Sequence, residues 1–524
     1  MKAKFIILAF VILLCSNAFA YDFSAVCESG QTLFYNITSD VEPYTVKVTY
    51  ESCDESIGLY NLNNYPTGNL VIPESVSFEE KTYSVTLIGH HAFAYCTGLV
   101  SVTIPNSVTT IETEAFHPCH NIESVTLSNS LTTIGARAFE ACWGMLSIDI
   151  PNSVTYIGSR AFSSCGLTSL TIPYSVTNIG EGAFKCSNLE SIVVELENTH
   201  YDSRENCNAL IETETNKLIR GCINSIIPNS VSIISKEAFA GCSGLTGELS
   251  IPNSVSIIER AAFYGCNGMT SVIIPNSVIS IGIGAFTDCT GLTSVYYTGD
   301  LAEWCEILFE ANPYTSHIYG ANPLYHAHNL YIGNELVTDL TIPETLTEIK
   351  LCSFCGASCL KSITIPESVI SIEDEAFGEC TNVDTIIMYA TIPPTLHYYS
   401  FDGVPTSIPV IVPCGSASTY NNVEYWSDFT NIQEDCSGVE ENEIADLHIY
   451  PNPVGDILNI TSSETISEIE IVNVIGQVVY REDVNGNNAV CDVNELANGI
   501  YVAKIHILNI SKSAKVIQRK FIKE

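Results

Sequence analysis

The chain has 524 residues, of which 46% are apolar, so it contains enough hydrophobic material for an extensive core. Its 21 Lys and Arg face 59 Asp and Glu, which gives a formal net charge of −38. Nucleic acid and anionic membrane surfaces repel such an acidic protein, so these two classes of partner are excluded.

The first 20 residues have the composition of a secretory signal peptide. Lys2 and Lys4 precede an apolar run, and Ala18–Ala20 supplies a cleavage site of small residues. Cys15 leaves a lipoprotein signal as the alternative. No other apolar run in the sequence is long enough to cross a membrane, so we predict a signal peptide at 1–20 and no transmembrane segment.

Residues 21–71 alternate strand-like pieces with turn residues and lack the repeat that follows. An array of repeats needs an atypical first unit to shield its open end, so we predict an N-terminal cap here. Cys27 and Cys53 flank this region. Export of the chain makes a disulfide between them a candidate.

Residues 72–390 repeat one unit of about 23 residues. An Ala-Phe pair, or Ser-Phe in one unit, marks the register. Its phenylalanines are Phe93, Phe116, Phe139, Phe162, Phe184, Phe239, Phe263, Phe286, Phe354 and Phe377. A fixed period between 20 and 30 residues is typical of a solenoid, in which neighbouring repeats bury each other's faces.

The unit Leu99–Cys119 reads LVSVTIPNSVTTIETEAFHPC. Alternating apolar residues predict a strand that ends at Pro105, because proline removes a donor from the ladder. A second inward pair follows the turn. The positions predicted to face the core are Leu99, Val102, Ile104, Val108, Ile111, Ala115, Phe116 and Cys119.

These units resemble the BspA-like leucine-rich repeats. The match is carried by SVTIPNSVTTIETEAFHPC, SLTIPYSVTNIGEGAFKC and SVIIPNSVISIGIGAFTDC, and it spans about residues 70 to 390. The resemblance implies a β-rich leucine-rich-repeat solenoid with short strands, tight turns and little helix. It also implies a secreted or surface-exposed protein used for adhesion or other protein contact.

Two side-chain columns follow from stacking the units. Hydroxyls are predicted along a concave face at Ser101, Thr103, Ser124, Thr126, Ser169, Thr171, Ser362 and Thr364. Cysteine recurs just after the phenylalanine at Cys96, Cys119, Cys142, Cys165, Cys186, Cys242, Cys266, Cys289 and Cys380. Because equivalent side chains point in parallel into one core, we predict buried free thiols there and no disulfides.

Two insertions, 195–222 and 296–339, interrupt the period. The first resembles a degenerate unit with a small hairpin. The second is rich in aromatic residues with polar tips, which binding hot spots favour. The predicted binding residues are Tyr296, Trp304, Tyr314, Tyr319 and Tyr325. The alternative is that these rings pack the insertion onto the array.

Metal and catalytic signals are weak. A first candidate metal cluster consists of His317, His326, His328 and Cys305. The second, Cys352, Cys355 and Cys359, falls at core positions that tolerate cysteine. The sequence holds no Gly-rich phosphate loop, helical zinc motif or serine elbow. We therefore predict no metal, no cofactor and no enzymatic activity.

After the repeats, residues 391–436 are rich in proline and turns and are predicted to cap the array. Cys414 and Cys436 form a second disulfide candidate there. Residues 437–445 are acidic and contain no aromatic residue, which is typical of a linker.

The tail, 446–524, holds seven short alternating segments separated by turn residues, which predicts a small β-sandwich. It resembles the C-terminal sorting domain of type IX secretion substrates. The matching residues include Tyr450, Pro451, Asn452, Pro453, Gly476, Gly499, Tyr501 and Lys520. The resemblance implies that the secretion machinery reads this domain at the outer membrane.

Together these features predict a secreted or cell-surface leucine-rich repeat protein that mediates adhesion or protein–protein interaction. Its expected partners are host or neighbouring-cell proteins or glycans, besides the secretion machinery. A glycan-binding surface protein and an unrecognised hydrolase remain the alternatives.

Overall fold

The structure is a computed structural model that describes residues 21–51, 65–310, 321–436, 447–473, 476–508 and 514–524. Outside these residues lie the predicted signal peptide, the predicted linker, Cys53, Tyr314, His317 and Tyr319. The chain forms two compact units, one ending at Asp435 and the other beginning at Cys436. None of the helices in the described ranges is long and apolar enough to span a membrane.

The N-terminal strands begin both sheets of the array, with β4 in one sheet and the other five strands in the second. They are β1 (Phe23–Val26), β2 (Thr32–Ser39), β3 (Thr45–Thr49), β4 (Gly68–Val71), β5 (Ser75–Phe78) and β6 (Lys81–Ile88). β1, β2 and β3 form an antiparallel meander, and β3 pairs in parallel with β6. The meander therefore covers a strand edge that would otherwise present unpaired backbone groups.

In the first half of the array most rungs supply a longer strand and, after a turn, a two-residue strand, whereas the segment before Pro151 forms no strand. The strands are β7 (Leu99–Thr103), β8 (Thr110–Ile111), β9 (Ser124–Thr126), β10 (Thr133–Ile134), β11 (Tyr156–Ile157), β12 (Ser169–Ile172), β13 (Asn178–Ile179) and β14 (Ser191–Val194). The longer strands pair in parallel as β4-β7-β9 and β12-β14, and the short strands pair as β6-β8-β10-β11-β13. Two parallel sheets thus flank one elongated core.

The core positions predicted for the unit Leu99–Cys119 are all buried, with side chains no more than 2% exposed. Consecutive phenylalanine rings stack along the array. Phe116 lies 5.0 Å from Phe93 and 5.0 Å from Phe139, measured between ring centroids, and Phe162 follows at 5.4 Å. The predicted β-rich solenoid with little helix is confirmed.

The phenylalanine series is interrupted between Phe184 and Phe239. Gly221 occupies this rung against the Phe239 ring, which a Cβ would overlap. The neighbouring Arg220 is 3% exposed, and its guanidinium donates to backbone carbonyls, including Cys186 O at 2.7 Å. A glycine and a carbonyl-bound arginine therefore occupy the space that a phenylalanine fills elsewhere.

The middle of the array holds both predicted insertions. Its elements are β15 (Tyr201–Asp202), a 3-10 helix (Arg204–Asn206), β16 (Leu210–Glu212), β17 (Lys217–Arg220), β18 (Ile233–Ile234), β19 (Gly247–Ser250), β20 (Ile257–Ile258), β21 (Met269–Ile274), β22 (Ser280–Ile281), β23 (Ser294–Tyr297), α1 (Leu301–Glu306), β24 (Leu308–Phe309), α2 (Leu324–Ala327), β25 (Leu330–Ile332) and β26 (Glu335–Leu336). β17 pairs in parallel with β18, and β24 pairs with β22, so both segments continue the strand columns. A capping box between Asp300 and Glu303 starts α1 and replaces the usual proline turn.

The last rungs end in an aromatic plug. Their elements are β27 (Asp339–Thr341), β28 (Glu348–Ile349), β29 (Ser362–Ile365), β30 (Ser371–Ile372), β31 (Thr385–Met388), β32 (Thr395–Leu396), β33 (Val410–Pro413), α3 (Ala417–Tyr420), a 3-10 helix (Trp426–Asp428) and β34 (Ile432–Asp435). Tyr420 and Trp426 are fully buried, and each donates a hydrogen bond of 2.8 Å to a backbone carbonyl. Cys414 and Cys436 are both disulfide-bonded, as predicted.

The C-terminal unit is an antiparallel sheet of long strands. They are β35 (His448–Tyr450), β36 (Ile457–Asn473), β37 (Val478–Asp492), β38 (Gly499–Leu508) and β39 (Ala514–Lys523). Along one edge, β36 pairs first with β35 and then with β38, while β37 pairs along its other edge. Leu458 and Ile469, from the two halves of β36, belong to one hydrophobic cluster. Segments predicted as separate strands are therefore joined in single long strands.

Candidate interaction surface

The outward side chains of the longer strands form columns because the strands pair in register. Thr103 stands opposite Thr126, and both are exposed, as predicted for the hydroxyl column. In a separate sheet further along the array, the paired outward positions are Ile273, Tyr296 and Tyr331. The surface therefore changes from hydroxyl-bearing to apolar and aromatic.

Tyr296 and Tyr331 are the aromatic members of this set of paired positions. Their ring centroids are 4.7 Å apart with an interplanar angle of 21°. Tyr331 also stands opposite Leu336 in the β25–β26 hairpin, and Leu336 is 39% exposed. Both turn residues, Gly333 and Asn334, have positive φ, as a two-residue hairpin requires. The hairpin therefore places an apolar side chain beside the stacked rings.

Trp304 requires a correction to the predicted binding set. Its side chain is fully buried, and Nε1 donates to Ser353 O at 3.0 Å. The indole also packs edge-on to Tyr297 at 5.3 Å. Trp304 therefore fixes the segment to the array and offers no surface to a partner. Tyr325 is half-buried, and burial raises the pKa of its phenol.

An exposed aromatic residue that the sequence analysis missed is Trp143. It is 60% exposed, and its ring stacks on His120 with centroids 4.1 Å apart and an interplanar angle of 17°. His120 Nδ1 lies 3.0 Å from Ala141 O, which orients the imidazole. Leu146, three residues further, is 59% exposed. The sequence did contain a signal for this exposure. Trp143 directly follows the repeat cysteine, and most other repeats have the polar residues Thr, Ser or Asn at that position.

A groove of about 570 Å³ lies near the N-terminal end of the array. Its polar lining residues include Glu28, Glu74, Thr103, Asn106 and Asn129. Among the described residues that line it there is no histidine, lysine or cysteine. Carboxylates, amides and hydroxyls form hydrogen bonds to a ligand rich in hydroxyls, such as a sugar.

The repeat cysteines are free and buried, as predicted. Each thiol of the regular rungs donates to the phenylalanine carbonyl of the rung before it, as Cys119 does to Phe93 O at 3.1 Å. Burial raises the pKa of Cys142 to about 12 and that of Cys186 to about 11. These sulfurs are therefore protonated donors near neutral pH, whereas a nucleophile needs the thiolate.

The residues of the predicted sorting motif divide into structural and exposed groups. Asn452 Oδ1 accepts a 2.9 Å hydrogen bond from Ile522 N, and Tyr501 is 8% exposed and stacks on Phe521 at 5.8 Å. Tyr450 is 50% exposed and Lys520 is exposed. The first group holds the sheet together, and the second is available to another protein.

Comparison with known proteins identifies both parts of the chain. The model of the BspA-type leucine-rich repeat region matches at residues 57–190, 109–220, 216–325 and 327–436. The model of the secretion system C-terminal sorting domain matches residues 448–523. No curated protein gives a significant match.

Several solved structures are similar. A leucine-rich repeat protein from Bacteroides ovatus is 22% identical, with 79% of this chain and 100% of that chain covered and a TM-score of 0.46. The pneumococcal vaccine antigen PcpA is 16% identical, with coverages of 79% and 99% and a TM-score of 0.49. A leucine-rich cell surface protein from Faecalibacterium prausnitzii is 23% identical, with coverages of 70% and 94% and a TM-score of 0.39.

The repeat model accounts for most of the chain and the sorting model for its tail. The sorting domain directs export through type IX secretion, so the protein is secreted or lies on the outer cell surface. The chain belongs to the BspA-type leucine-rich repeat family.

Proposed function

We propose that the solenoid is a non-enzymatic adhesion or interaction module that binds a partner protein outside the cell through exposed aromatic side chains. The observation that carries the proposal is Trp143, held flat by His120 and 60% exposed beside Leu146. A ring already fixed by stacking loses little conformational freedom on binding, and tryptophan is enriched at binding hot spots. The stacked pair Tyr296 and Tyr331, which is half-buried, supplies a second aromatic surface.

The acidic composition favours a partner with a basic surface, because complementary charge accelerates association. A non-catalytic role is supported by the protonated, buried state of the repeat thiols, which removes the most numerous candidate nucleophiles. The domain boundaries predicted from the sequence, including the cap at 21–71 and the linker at 437–445, form part of this proposal.

The test is binding of the purified full chain to immobilised extracellular-matrix and cell-surface proteins and to a glycan panel. Trp143→Ala is compared with Tyr389→Ala, a matched control that is 61% exposed at another site. We expect Trp143→Ala to weaken binding to the detected protein by about 2 kcal/mol, or about 30-fold, and Tyr389→Ala to leave it unchanged. Equal binding by both variants would refute the site, and substrate turnover by the pure protein would refute the non-enzymatic role.

A second candidate function, glycan binding, is favoured by the groove near the N-terminal end of the array, whose lining includes the polar residues Glu28, Asn106 and Asn129. On this alternative the panel would give a glycan ligand. Asn106→Ala would then abolish binding, and Trp143→Ala would have no effect.

A further inference from the structure

Two cysteines and a glutamate converge where the rung that resumes the array after the 296–339 segment meets the next rung. One ligand atom from each of Cys352, Cys355 and Glu375 lies within 4.8 Å of the other two, and Cys355 Sγ is 3.6 Å from Glu375 Oε2. The three residues are 1%, 2% and 3% exposed. Zinc–sulfur and zinc–oxygen bonds of about 2.3 and 2.1 Å place tetrahedral ligands about 3.5 Å apart, so this spacing suits one ion.

The local backbone explains how the three side chains meet. Cys352 and Cys355 are separated by two residues, which is the spacing of the thiolate pairs in structural zinc sites. Cys355 N donates to Cys352 O at 3.2 Å, so a tight turn brings the two cysteines to one side. Cys352 N donates to Asp374 O at 3.2 Å, which holds the next rung and its Glu375 against this turn.

Equivalent positions in other rungs show what usually faces a glutamate here. The residue before each Ala-Phe or Ser-Phe pair has a positive φ, and Glu114, Glu237 and Glu375 are three members of this column. Glu114 Oε2 is 2.6 Å from His91 Nε2, and Glu237 Oε2 is 3.1 Å from Lys185 Nζ. In those rungs a basic side chain from a preceding rung lies against the carboxylate.

At Glu375 the two corresponding places in the preceding rung hold Cys352 and Cys355. Thiols have replaced the basic side chains while the carboxylate has been kept. Two thiolates and a carboxylate together form a ligand set that suits a soft divalent cation.

We propose that Cys352, Cys355 and Glu375 bind a divalent cation of the zinc class and so join two rungs at the most altered part of the array. On binding, each thiol loses its proton to solvent and a sulfur–metal bond forms, while the carboxylate binds in its ionised state. A disulfide between the two cysteines would use two of the three groups and leave the buried carboxylate beside a neutral bridge. The metal engages all three.

The position of the cluster fits a structural role. Asn322 Nδ2 donates to Cys352 O at 2.8 Å, and Trp304 Nε1 donates to Ser353 O. The side chains that fix the 296–339 segment to the array therefore donate hydrogen bonds to the turn that holds the two candidate metal ligands Cys352 and Cys355. An ion there would order the turn before the segment docks on it.

A second group of ligand types, Cys414, Glu434 and Cys436, does not compete for the ion. Its two cysteines are disulfide-bonded and offer no thiolate. Among the described residues, metal binding by the full chain therefore reports on the first cluster.

The test is Zn²⁺ binding by the full chain, purified without chelator and under non-reducing conditions. Metal content is measured by mass spectrometry of the elements, and Co²⁺ substitution is followed by the thiolate-to-cobalt absorption in the near ultraviolet. The variants are Cys352→Ser and Glu375→Gln. Cys289→Ala is the matched control, because it also removes a buried repeat thiol.

We expect about one Zn²⁺ per chain in the wild type and in Cys289→Ala, with affinity weaker by about 100-fold or more in the other two. The thiolate–cobalt band should weaken in Cys352→Ser and survive in Glu375→Gln at saturating Co²⁺. If the variants fail to fold, the wild type alone decides, since chelation should lower its melting temperature and Zn²⁺ should restore it. Absence of metal binding, unchanged affinity in Cys352→Ser, or a Cys352–Cys355 disulfide in the peptide map would overturn the proposal.

Discussion

The stacked phenylalanines predict a large and local cost for removing one ring. Phe139 is fully buried, and its centroid lies 5.0 Å from Phe116 and 5.4 Å from Phe162. Truncation of a buried phenylalanine to alanine costs about 3 to 5 kcal/mol, and each lost ring pair accounts for about 0.5 to 1.5 kcal/mol of that. We therefore expect Phe139→Ala to lower the free energy of unfolding by about 4 kcal/mol.

The assay is urea denaturation of the full chain followed by far-ultraviolet circular dichroism. Each rung of a solenoid contacts only its neighbours, so a weakened central rung should also broaden the transition of the array. Phe139→Leu keeps most of the volume and should cost about 1.5 kcal/mol. A loss below about 1 kcal/mol for Phe139→Ala, or a loss equal to that of Tyr389→Ala at an exposed position, would refute a shared core.

Three further predictions concern other parts of the array. Gly221→Ala should lower stability by about 1 to 3 kcal/mol in the same urea assay, because its Cβ would overlap the Phe239 ring. Cys142, with a pKa of about 12, should resist a disulfide reagent at pH 8 until the array unfolds, since only about 1 in 10,000 of its thiols is ionised. Burial raises the pKa of Glu114, whereas the hydrogen bond and charge of His91 lower it. The lowering effects are larger together, so the pKa lies below its ordinary value. Its stabilisation is thus present above the unfolded-state pKa and lost as the pH falls through the folded-state pKa, so Glu114→Gln should flatten the acid limb of the stability profile.

A control or a contradicting outcome is defined for each of these three predictions. Gly455→Ala, where a Cβ meets no atom within 4 Å, should leave the urea midpoint unchanged. Thiol labelling of native protein as rapid as that of denatured protein would contradict the burial of the cysteine column. For the pH profile, a Glu114→Gln variant with the wild-type acid limb would show that the His91 contact contributes nothing.

Much of the fold was predictable because every repeat buries apolar side chains at the same positions, so the pattern recurs many times in the sequence. The period of Phe93, Phe116 and Phe139 predicted one stacked column, and the structure has it. The rung at Gly221 could not be predicted in this way. There Gly221 and the neighbouring Arg220 take the place of the repeat phenylalanine. Neither residue recurs with the period of the repeat, so the sequence pattern does not reveal this rung.

The interaction surface was less predictable because exposure of an aromatic residue depends on which face it occupies. Trp304 lies in an aromatic-rich segment and looked like a contact residue, but a short helix turns it into the core. Trp143 follows a core cysteine and is exposed because the chain turns there. Cys352 and Glu375 belong to different rungs and meet only because those rungs stack. The spacing of residues within one repeat does not reveal such a contact.

The proposed function requires that the intact array binds its partner through aromatic side chains on its surface. Hydroxyl-radical footprinting of the full chain, free and bound to the partner protein found by the binding screen, tests it most directly. We predict that binding protects Trp143 and Leu146 from oxidation, with Tyr296 or Tyr331 protected in an extended contact, and leaves Tyr389 unchanged. Protection confined to the groove near the N-terminal end of the array, or to the C-terminal unit alone, would show that the exposed aromatic side chains are not the contact surface.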